Sequence, residues 1–158
     1  MSLFHQLYDV CIRKRVTIAT AESCTSGLLA SNISLIPGAS SIFKGGIIAY
    51  QDSIKIKNLD ISRSLINLKT SVSSEVTQKM AENVLDKFCA DFSIAISGYA
   101  GPFGGTLDNP LGTVFISVAS KQNSIVERCS FLGSRKSVVS QAVNKSATLL
   151  LAELKKIQ

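Results

Sequence analysis

Apolar and polar positions along the chain switch repeatedly between helical and strand-like spacing. The opening segment, about residues 2–13, reads as a helix, and the β-branched run Val16–Thr20 reads as a buried strand. Small polar residues in Glu22–Gly27 stand directly before Leu28, Leu29 and Ala30, so the next helix is expected to begin near Ser23 to Thr25 and to end before Pro37-Gly38. Gly45–Tyr50 reads as a second strand, followed by an amphipathic piece over Ser53–Leu59 and a looser stretch to about Ser71. Val76, Met80, Val84 and Phe88 recur every four residues behind the capping candidates Ser73 and Ser74, with Glu75 in the first turn where the helix dipole favours an acid. Phe92–Ile96 is strand-like, Gly112–Ala119 and Ser124–Phe131 read as a strand pair, and Val139, Val143, Leu150 and Leu154 mark a closing helix. Alternation of this kind with a terminal hairpin predicts an α/β fold, a three-layer α/β/α sandwich around a mixed, mostly parallel sheet.

Length narrows the organisation. At 158 residues the chain fits one domain over 1–158, large enough to bury a core without disulfides. No internal repeat or low-complexity tract divides it. Its apolar runs are far shorter than a membrane span, and the N-terminal basic residues follow the apolar ones, the reverse of a secretory signal. The expectation is a cytoplasmic protein without membrane contact.

Charge and the metal-binding residue types change the picture only slightly. Seventeen basic against eleven acidic residues give a net charge of +6, which suits a phosphorylated small molecule as well as a nucleic acid. The densest run, Arg13-Lys14-Arg15, carries no interleaved aromatics and reads as a solvated helix end, so nucleic acid is the less favoured partner. Cys11, Cys24, Cys89 and Cys129 form no C-x-x-C pair, and His5 is the only histidine; a zinc site is not expected. With one histidine, a nucleophile deep in the chain needs another base, and lysine is the leading substitute.

Four segments could carry chemistry. At Thr20–Gly27 a strand-to-helix junction offers outward N–H groups to an anion or oxyanion, with Ser23 placed to attack; the alternative is that Ser23 and Thr25 simply cap the helix. Cys24 lacks an imidazole to activate it and reads as a small buried residue. Tyr50 and Lys55 follow the second strand and could face the same crevice as Ser23, Lys55 acting as a base if its amine is desolvated and otherwise remaining a surface lysine. Ser97–Thr106 is a glycine-rich loop without the G-x-x-x-x-G-K-[ST] arrangement of an ATP-binding loop. In Gly133-Ser134-Arg135, Ser134 can cap the last helix and Arg135 can make a bidentate phosphate contact.

Together, TAESCTSG (Thr20–Gly27), GGIIAY (Gly45–Tyr50), SGYAGPFGG (Ser97–Gly105), PLGTV (Pro110–Val114) and GSR (Gly133–Arg135) occur in the order and spacing of the CinA C-terminal domain family, which the chain resembles over nearly its whole length. The resemblance implies hydrolysis of the nicotinamide mononucleotide carboxamide to nicotinate mononucleotide and ammonia, in pyridine nucleotide salvage, without metal or cofactor, by a homo-oligomer. It implies Ser23 as nucleophile, Lys55 as general base with Tyr50 beside it, and Glu22, Cys24, Thr25, Ser97, Gly98, Gly101, Gly104, Gly105 and Arg135 holding the substrate. The chain departs from the family pattern at Ser26, in place of the first glycine of SCTGG, at Tyr99 and Phe103 in the glycine loop, at Ser134 in place of the acid of GDR, and in the Gln51–Ile54 stretch before Lys55. The family also implies an alternative, an inactive nucleotide-binding or interaction protein linked to competence or DNA-damage responses. The extra N-terminal domain of the larger members, with its separate pyrophosphatase chemistry, is not expected here.

Overall fold

In the computed structural model, which describes residues 1–157, five strands form one sheet in the order β2-β1-β3-β4-β5. β1 (Ile18–Glu22) is flanked by β2 (Phe43–Ile48) and β3 (Phe92–Gly98), both parallel to it, and β4 (Thr113–Ser120) and β5 (Ser124–Ser130) close the sheet as an antiparallel hairpin. Four strands therefore run one way and β4 alone opposes them. Every residue of β1 is buried, as expected of a central strand covered on both faces.

Alternation along the strands sorts the two helical layers. Ile18, Ile94, Ile96, Val114, Ile116 and Val118 face α1 (Leu3–Lys14), α2 (Leu28–Ser34) and α6 (Arg135–Lys156). Ala19, Ala21 and Ala95 face the other layer, made by α3 (Asp52–Leu59), α4 (Arg63–Lys69) and α5 (Ser74–Phe88). The three-layer sandwich follows from these two apolar cores on one sheet.

The structure corrects four local readings. β1 begins at Ile18, because Thr17 is held instead by the Asp91 carboxylate through its amide and hydroxyl (both 2.8 Å). β2 ends at Ile48, leaving Tyr50 in the connection to α3. The looser stretch contains α4, capped by Ser62, whose Oγ accepts from the Leu65 amide (3.1 Å). Residues 23–27 form a turn, and α2 starts only at Leu28 behind Gly27, whose φ of 96° a side chain would resist. Neither Ser23 nor Thr25 caps α2 through its side chain.

Ser73 caps α5 and Ser134 caps α6, each accepting from the amide three residues on (3.3 Å). Among the described residues no helix is long and apolar enough to cross a membrane.

Candidate active site

β1 leads outward to β2 and β3 the other way to β4, with α2 and α3–α5 crossing on opposite faces of the sheet, so a crevice opens at the carboxyl ends of β1 and β3. Ser23 follows β1 directly, Ser97 lies near the end of β3, and Tyr50 follows β2. All three reach a cavity of about 230 Å³, which α3 and the start of α6 complete with Lys55 and Arg135. A roomier open depression beside Glu82 and Asp86 lies at the opposite edge, against the β4–β5 turn.

Lys55 decides the character of this cavity. It is 1% exposed, and its Nζ donates to Ser23 Oγ at 3.3 Å and to the Tyr50 carbonyl at 3.5 Å. Burial pushes the amine below the ordinary lysine range, against the opposing pull of the Asp52 carboxylate. A buried amine of lowered basicity beside a serine hydroxyl is what a base needs to activate that hydroxyl in the absence of an imidazole.

Cys24, next in sequence, is disposed otherwise: burial pushes its thiol up to about 12, so it is protonated at neutral pH and no nucleophile. The amide of Ser23 donates to the Ile96 carbonyl (2.9 Å), whereas those of Cys24 and Thr25 have no backbone acceptor among the described residues. Of these two residues only Cys24 lines the cavity beside Ser23.

At the far wall Arg135, the first residue of α6, donates to the Gly101 carbonyl (2.8 Å) and to Tyr50 Oη (2.7 Å). The exposed guanidinium is thus oriented before any ligand arrives, at a helix N-terminus that itself favours anions. Phe103, 89% exposed, and Tyr99 add aromatic surface to the rim.

Of the residues singled out from sequence, Ser23, Cys24, Tyr50, Lys55, Ser97, Gly98 and Arg135 line the cavity. Glu22 and Thr25 do not: the Glu22 carboxylate turns beneath the turn, accepting from Thr25 Oγ1 (2.7 Å) and from the Leu29 and Ala30 amides (2.9 and 3.0 Å). These contacts satisfy the first turn of α2, which no side chain at Gly27 can reach. Gly101, Gly104 and Gly105 also lie outside the lining; all three hold positive φ and shape the loop. Ser26 sits exposed at φ 55°, away from the cavity.

Among the polar lining residues, sequence reasoning assigned no role to Asp52 or Ser71. Asp52 carries a signal, since it stands one turn before Lys55 on the same helix face. Ser71 carries none, because only the packing of the α4–α5 connection brings it there.

The CinA C-terminal domain family model matches residues 1–154. This chain belongs to that family. Among curated relatives, a CinA-like protein of Desulfotalea psychrophila is 38% identical over 88% of the chain and 34% of its own length. The chain spans about a third of the length of the curated relatives it matches. Two solved CinA-family structures superpose closely. The competence damage-inducible protein A of Klebsiella pneumoniae has a TM-score of 0.95 at 29% identity, covering 99% of this chain and 97% of that one. A CinA superfamily protein of Escherichia coli has 0.91 at 32% identity, covering 94% and 87%. The CinA fold of these relatives is shared along nearly the whole chain.

Proposed function

We propose that the chain is an amidohydrolase that converts nicotinamide mononucleotide and water to nicotinate mononucleotide and ammonia, with Ser23 as nucleophile and Lys55 as base. The observation that carries this reading is the buried Lys55 amine 3.3 Å from Ser23 Oγ. The neutral amine takes the hydroxyl proton as Oγ attacks the carboxamide carbon, and the backbone amide of cavity-lining Cys24 would meet the oxyanion, a type of contact worth about 10²–10³-fold in rate. The ammonium of Lys55 then returns the proton to the departing nitrogen, which leaves as ammonia and an acyl-serine. Water, deprotonated by the same amine, releases the carboxylate and restores Ser23.

Arg135 and the α6 N-terminus would take the phosphate, in keeping with the surplus of positive charge. Tyr99 and Phe103 offer faces to the pyridine ring. The same reading carries with it a cytoplasmic location and a homo-oligomeric assembly.

The test is ammonia and nicotinate mononucleotide formation by the purified protein, beside Ser23→Ala and Lys55→Ala of verified fold. Turnover that falls by about 10³-fold or more in both variants supports the dyad. A folded parent protein that binds the nucleotide and releases no ammonia overturns the reading in favour of a binding protein.

A further inference from the structure

Among the described residues Lys55 has one anionic neighbour within ion-pair distance. Asp52, three residues earlier on α3, places Oδ1 3.8 Å from Nζ. Its carboxylate is held in turn, accepting from Ser71 Oγ in the α4–α5 connection. The Ser71 carbonyl accepts from Ser97 Oγ at the end of β3 (3.1 Å). A continuous polar chain therefore runs from β3 through Ser97, Ser71, Asp52 and Lys55 to Ser23 at the end of β1. α3 has only eight residues, and its N-cap Gln51 makes no side-chain cap bond, so little else local to the helix fixes the amine's height above Ser23.

We propose, resting on the Ser23–Lys55 reading, that Asp52 is a positioning residue that holds the Lys55 amine over Ser23 and is itself braced by the Ser71 hydroxyl. The carboxylate also opposes the effect of burial on the amine. Other groups around the amine do not replace it. Cys24 and Tyr50 enter from the turn after β1 and the β2–α3 connection. Arg135 enters from α6 and adds positive charge, while Glu22 is turned toward α2. On α5, packed against α3, Glu75 pairs with Lys69 (3.0 Å) and Lys87 with Asp60 (2.7 Å). Without Asp52, burial acts with no nearby carboxylate against it, and the amine sheds its proton at lower pH.

The test compares the parent protein with Asp52→Asn, which keeps size and an oxygen for Ser71 at a side chain 55% exposed, so the fold is retained. Lys55 is titrated through its ¹³Cε resonance, without substrate, and kcat and KM for nicotinamide mononucleotide are measured against pH. In Asp52→Asn the Lys55 midpoint is expected to fall by about 0.5–1 pH unit, with the acid limb of kcat/KM falling alongside. Plateau kcat should drop about threefold and KM stay within about twofold. Asp52→Glu should restore the midpoint. Ser71→Ala should lower plateau kcat while leaving the midpoint within about 0.3 unit, because the charge remains. An unmoved Lys55 midpoint in Asp52→Asn overturns the proposal whatever the turnover, as does an active variant with unchanged limb and plateau. A midpoint that moves in Asp52→Asn while the parent itself never turns over the nucleotide upholds the coupling and sinks only the deamidase reading.

Discussion

Replacing Glu22 by glutamine tests whether this residue organises the site or touches the ligand. Its carboxylate is 1% exposed and accepts three hydrogen bonds, two of them from the Leu29 and Ala30 amides in the first turn of α2. Glutamine keeps one oxygen, enough for Thr25 and Leu29, but turns an NH2 toward the Ala30 amide, so two donors face each other. An unsatisfied buried amide costs about 1–3 kcal/mol, and losing the anion at a helix N-terminus costs about another 0.3–1 kcal/mol. The neutral side chain is cheaper to bury, which offsets part of this and leaves a net loss of about 2 kcal/mol. For a domain of this size that lowers Tm by about 4–8 °C. Differential scanning calorimetry reads the shift, and hydrogen exchange at the Leu29 and Ala30 amides localises it. Since Glu22 lies outside the cavity lining, KM for nicotinamide mononucleotide should stay within about threefold even if kcat falls through disturbance of neighbouring Ser23. An unchanged Tm together with a KM raised by about tenfold or more would refute the reasoning and make Glu22 a ligand contact.

Three further outcomes follow from the same geometry. Lys55→Met should abolish turnover yet raise stability by about 1–3 kcal/mol in urea titrations, because a buried amine is exchanged for an apolar chain of similar length. The parent's folded-state Lys55 binds protons less readily than the unfolded chain, so its stability rises with pH from the lowered folded value toward 10.5, and the variant's advantage should shrink over that window; an advantage that grows there contradicts the burial argument. Iodoacetamide at neutral pH should label exposed Cys89 and spare Cys24, and Cys24→Ala should retain most of the turnover; mass spectrometry showing fast Cys24 labelling would contradict its protonated, buried state. Ser26→Gly should stabilise by about 0.5–1 kcal/mol by relieving the left-handed backbone at φ 55°, and a loss of stability in thermal melts would show that the serine side chain compensates for its conformation.

The sequence determined the elements whose burial is periodic along one stretch of chain. The four-residue repeat of Val76, Met80 and Val84, all fully buried, locates α5, and the apolar run Phe92–Ile96 locates β3, because a period records which face a residue presents to its own layer. From that order of elements the three-layer sandwich follows, and the motifs carried the family. What a period cannot record is where separate elements end relative to one another. The Glu22–Gly27 pattern reads as a helix start, but the first-turn amides of α2 are satisfied from Glu22, six residues before the helix begins, so the boundary moved to Leu28. The local pattern left Lys55 open between a desolvated base and a surface lysine; its 1% exposure against the end of β1 comes from the packing of α3. Ser71 and Arg135 come to the cavity from a connection and a helix far along the chain. The tertiary structure decided the base's environment and its Asp52–Ser71 brace, since desolvation and charge depend on distances across elements, which no local pattern contains.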